Sequence, residues 1–148
     1  MAETQTSPTT TLTLTRTFAA PRERVFRAWT DPKEMALWFA PSPDHSMVIA
    51  EYDFQVGGKY RFEVQHKSGN GRRIFGTYRE IIPPEKLVFT WSWGEDAGAH
   101  VSVVTIEFRD LGKSTEITLT HEGLPSVEER DSHNQGWSGV FDQFAKYL

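Results

Sequence analysis

At 148 residues the chain has the length of one domain and can bury about 68–70% of its unfolded surface without a disulfide or metal staple. A net charge of −4 argues against a phosphate backbone as partner, so no nucleic acid is expected. The lack of cysteine excludes disulfides, thiolate nucleophiles and cysteine-ligated zinc, and fits a cytoplasmic setting. The opening residues have no basic start or apolar core, and no apolar run approaches the roughly 20 residues that span a bilayer, so no membrane partner is expected.

Residues 1–9 are polar and read as a disordered tail, ahead of a single domain over 10–148. From residue 11 to 17 threonine takes every odd position, while Leu12, Leu14 and Phe18 share the other side with Arg16. That alternation predicts a first strand with one wet and one dry face. Pro21 suits a first helical turn, and Val25, Phe26 and Trp29 follow at helical spacing. Asp31-Pro32-Lys33-Glu34 then reads as a capping box with proline at the first helical position, and Pro41 and Pro43 close that second short helix. The Arg22, Arg24 and Arg27 cluster reads as a solvated helix face.

Strands are predicted next over 46–52, 59–65, 73–82, 87–93, 101–110 and 113–122, separated by turn signals such as Gly57-Gly58, Ser68 to Gly71 and Pro83-Pro84. In the central one, Leu87, Phe89, Trp91 and Trp93 fall on one face. Residues 123–134 read as a crossing loop. From residue 135, Trp137, Phe141, Phe144 and Leu148 form one helical stripe. The order predicts an α+β fold: a curved antiparallel sheet of about seven strands around a long C-terminal helix, with two short helices after the first strand.

The five histidines show no HxH or HxxxH spacing, and His121-Glu122-Gly123-Leu124-Pro125 lacks the helix and second histidine of a zinc protease. No metal and no cofactor are expected. His121 shares parity with Ile117 and Leu119 and points inward, where it acts either as an acid, base or ligand donor or as a structural ring. It is the best catalytic candidate. His100 and Ser102 share parity with Val104 and could line the same space. Ligand-binding candidates are Trp38, Phe62, Tyr78, Phe89, Trp91, Trp93, His121, Trp137 and Phe141. These rings form either a pocket or a filled core.

The stretches FAAPRERVFRAWTDPKEMALWF, VGGKYRFEV, FGTYREIIPPEKLVFTWSW, TLTHEGLP and QGW together resemble the START-like, or SRPBCC, superfamily. Within it the chain is most similar to the C-terminal domain of the activator of the heat-shock chaperone ATPase. The resemblance implies the helix-grip fold and an apolar cavity between sheet and helix. It leaves three functions open: binding of a small hydrophobic molecule, a cyclase-, dehydratase- or hydrolase-like reaction using a pocket histidine, and an interaction with a chaperone. It also leaves a homodimer open. Enzymatic activity is the less expected outcome, since fold alone does not fix chemistry.

Overall fold

A computed structural model describes residues 10–69, 71–93 and 101–148 of the chain. The tail expected over 1–9, the loop over 94–99 and His100 lie outside the described residues. The threonine-faced segment forms β1 (Leu12–Phe18), followed by α1 (Arg22–Ala28) and α2 (Pro32–Trp38). Then come β2 (His45–Tyr52), β3 (Lys59–His66), β4 (Gly71–Ile82), β5 (Lys86–Trp93), β6 (Ser102–Asp110) and β7 (Thr115–Glu122). α3 (Val127–Tyr147) follows them.

The strands pair antiparallel in the order β1-β7-β6-β5-β4-β3-β2, so the sequence neighbours β1 and β2 lie at opposite edges. The two short helices bridge them. α3 packs on one face, where Phe18 meets Phe141 and Phe144 at ring distances of 5.5 and 4.9 Å. This is the expected helix-grip arrangement. Its core is largely aromatic, with Trp29, Phe141 and Phe144 almost fully buried.

Bulges bend the sheet between Ile49 and Glu51 and between Tyr78 and Glu80. A glycine sets a further close approach. The Tyr60 ring lies over Gly76 and its hydroxyl donates to the Thr90 carbonyl at 2.6 Å. A Cβ on Gly76 would overlap both groups.

Four sequence readings are corrected. Residues 127–134 belong to α3, because Ser126 caps the helix and accepts from the Glu129 N–H at 3.1 Å. Pro21 occupies the N-cap of α1, with φ −64° and ψ 155°, instead of its first turn. Asp31 caps α2 through the Lys33 N–H and Pro32 follows as expected, but the Glu34 carboxylate accepts from Arg24, Arg27 and Tyr147 instead of closing the capping box. The bulge after Tyr78 breaks the parity shared with Glu80 and Ile82, so Ile81 packs toward the core and Ile82 is exposed.

Candidate functional site

β5 lies at the middle of the sheet, so its large side chains have neighbours on both sides. Trp91 meets Trp137 of α3 at a ring distance of 4.9 Å. Beside this pair a pocket of about 350 Å³ opens between α3 and the β2–β5 half of the sheet. Its inner wall is apolar: Phe39, Ile74 and Trp91 face Trp137 and Val140. Its rim carries His45, His66 and Arg72 from the sheet and Ser132 from the helix. Gly136 contributes only backbone, and a Cβ there would meet nothing within 4 Å. The volume sits at the lower end of the range for small-molecule sites.

Two residues of the lining, Trp91 and His133, carry buried polar atoms. The Trp91 Nε1–H is buried and finds no hydrogen-bond partner among the described residues. A buried donor left unpaired costs about 1–3 kcal/mol. His133 is also buried and lines the pocket. Its Nδ1 donates to the Glu129 carbonyl at 2.8 Å, so the neutral ring keeps Nε2 as an acceptor. Burial lowers its pKa, and the Arg72 charge lowers it further against the opposing pull of Glu129.

His121 lies deeper and is not among the residues lining the pocket. Its Nδ1 accepts from Trp137 Nε1 at 3.1 Å, and its Nε2 lies 2.7 Å from Ser102 Oγ. The Ser102 hydroxyl lies 3.1 Å from the Trp91 carbonyl and donates to it. Since indole N–H can only donate, His121 carries its proton on Nε2 and gives it to Ser102. Burial pushes its pKa down to about 3. The ring is neutral, with both nitrogens engaged in a relay that ties helix to sheet.

Of the other candidates, Trp91 and Trp137 line the pocket. Trp93 is half-buried at its edge, between the His133 ring at 4.9 Å and the Arg72 guanidinium at 5.9 Å. Trp38 packs on Phe144 at 4.5 Å and donates to the Ala28 carbonyl. Phe62 touches Phe39 at 5.5 Å, Phe89 and Tyr78 pack with Tyr60, and Phe141 packs against Phe18. These rings form the core around the pocket. Sequence reasoning missed Arg72, His133 and Gly136. The last two follow from the Ser126-Val127-Glu128-Glu129 capping box, which extends the helix and sets His133, Gly136, Trp137 and Val140 on one stripe. Among the described residues no group of three or more histidine or acidic side chains could hold a metal ion. No helix among them is long and apolar enough to cross a membrane.

Comparison with known proteins places these features in a family. A sequence model described as "Activator of Hsp90 ATPase homolog 1-like protein" matches residues 19–148. The human activator of 90 kDa heat shock protein ATPase homolog 1 is 27% identical over 134 residues, covering 90% of this chain and 35% of that protein. Mouse homolog 2 is 29% identical over 127 residues, covering 84% of this chain and 33% of that protein. The chain thus spans about a third of the length of these curated relatives. A crystal structure of a Chromobacterium violaceum protein superposes with a TM-score of 0.84 at 31% identity, covering 93% of this chain and 95% of that one. A Silicibacter pomeroyi protein described as AHSA1 gives a TM-score of 0.80 at 23% identity, over 92% and 95% of the two chains, and shows the fold alone. The chain belongs to the family of Activator of Hsp90 ATPase homolog 1-like proteins.

Proposed function

We propose that the protein binds a small hydrophobic or aromatic molecule in the pocket between α3 and the sheet. The observation that carries this reading is the apolar pocket walled by the paired Trp91 and Trp137 rings. Aromatic rings and aliphatic side chains favour an apolar body. A ligand losing about 200 Å² of apolar surface gains about 5 kcal/mol at 25 cal/mol/Å². Association entropy offsets part of that, so affinities on the order of micromolar or weaker are expected.

The test is native mass spectrometry of the purified protein, followed by tryptophan-fluorescence titration with fatty acids, sterols, flavonoids and aromatic polyketides. Saturable quenching that disappears in Gly136→Leu supports the reading, because that side chain would project into the pocket. Quenching that is unchanged in Gly136→Leu, or absent for every compound, defeats it.

A second reading is activation of an Hsp90-type chaperone ATPase, supported by the family match and by the names of the curated relatives. It predicts a rise in chaperone ATPase rate on adding the protein. An unchanged rate at saturating protein would exclude it.

A further inference from the structure

We infer that the pocket's ligand is a carboxylic acid, an apolar ring or chain whose carboxylate sits at Arg72. This rests on the reading that the pocket binds a small apolar molecule, and names its class. The argument begins with charge. The chain has 20 acidic residues and a net charge of −4, yet among the described residues no aspartate or glutamate lines the pocket. The titratable groups among the described lining residues are the Arg72 guanidinium and the imidazoles of His45, His66 and His133.

Arg72, Arg22 and Arg79 form no ion pair among the described residues, and of these three Arg72 alone lines the pocket. Arg16 holds Asp142, Arg24 and Arg27 hold Glu34, Arg109 holds Glu116 and Arg130 holds Asp131. Arg72 has no carboxylate in reach among the described residues and lies over the Trp93 ring instead. That contact fixes the guanidinium at the rim and leaves its N–H fork open.

A carboxylate accepts from the guanidinium fork, and its apolar remainder fits the wall formed by Ile74, Trp137 and Val140. An amine would be repelled by Arg72. An uncharged ligand would use the apolar wall but leave the guanidinium without a role.

The experiment is calorimetric titration with two matched pairs, 2-naphthoate against 2-naphthamide and decanoate against decanamide, using wild type and Arg72→Met. Arg72 is exposed, so the variant is expected to keep the wild-type melting temperature. In wild type the acid of a binding pair should bind at least about tenfold more tightly than its amide, as a charge-assisted contact requires. Arg72→Met should erase that preference by weakening the acid more than the amide. Equal binding of acid and amide, or a preference that survives Arg72→Met, overturns the carboxylate and leaves the pocket reading standing. Binding of neither pair overturns the carboxylate, and the sterol, flavonoid and polyketide titrations then decide the pocket reading.

Discussion

Trp137 Nε1 donates to His121 Nδ1 across 3.1 Å, joining α3 to β7 through two buried side chains. The bond fixes the tautomer of His121, and His121 in turn positions Ser102 against the Trp91 carbonyl. One wall of the pocket is therefore anchored at both of its tryptophans by the same relay.

The relay makes stability depend on pH. His121 has a folded pKa of about 3, against about 6.5 in an unfolded chain. The unfolded state binds the extra proton, so stability is complete above about pH 6.5 and declines as pH falls toward 3. The slope from this one group approaches about 1.4 kcal/mol per pH unit within that window. His133, also lowered by burial, adds in the same direction. Urea unfolding between pH 5 and 7, above the usual carboxylate range, should show the decline, and His121→Gln should flatten it. An unchanged slope in that variant would mean His121 is not held neutral.

Two glycines one turn apart in α3 should respond oppositely. Nothing lies within 4 Å of a Cβ built on Gly136, whereas one on Gly139 would collide with the Pro41 carbonyl. Gly136→Ala is expected to raise stability by about 0.5–1 kcal/mol through reduced chain entropy. Gly139→Ala should lower it by forcing α3 off the loop. Thermal unfolding of both variants checks the contrast, and a loss of stability in Gly136→Ala would show that the helix is packed more tightly there.

The Tyr60–Thr90 bond gives a third test. Tyr60→Phe leaves a buried carbonyl without its side-chain donor and should cost about 1–3 kcal/mol. Gly76→Ala should cost more, because the ring itself must move. Chemical denaturation of the two variants ranks them, and equal stability would remove the steric argument.

Much of the fold was legible in the sequence, and the reason differs from element to element. The threonine alternation of β1 and the tryptophan stripe of β5 carry a period of two, which few other structures produce. The stripe from Trp137 to Leu148 carries a period near 3.6. The first turns of α3 were hidden because Val127 to Asp131 is mostly charged, and only the Ser126 cap marks them. The Tyr78 bulge was invisible because register is set by pairing with β5, not by β4 itself. The site was less legible than the fold. Trp91 and Trp137 announced themselves as aromatics, but Arg72 looks like a hairpin charge until its position over the Trp93 ring at the pocket rim is seen.

Glu34 links both ends of the helical layer. Its carboxylate accepts from Arg24 at 2.7 Å and from the Tyr147 hydroxyl at 2.7 Å. Together these donors outweigh its desolvation, which pulls the other way, and hold its pKa below the usual value. Glu34→Gln and Tyr147→Phe should each destabilise by roughly 1 kcal/mol and combine less than additively, since they share one bond. A double-mutant cycle by thermal unfolding measures this, and simple additivity would mean the bond contributes nothing.

The strand order also bears on how the chain is made. β1 leaves the ribosome first, yet it pairs only with β7, where Leu12 stands opposite His121. Its buried residue Phe18 is covered by Phe141 and Phe144, which are synthesised later still. The opening strand must therefore wait, apolar side exposed, while the hairpins from β2 to β6 assemble by local contacts. A nascent chain arrested before Thr115 has no place to dock its first strand, because β7 is still missing.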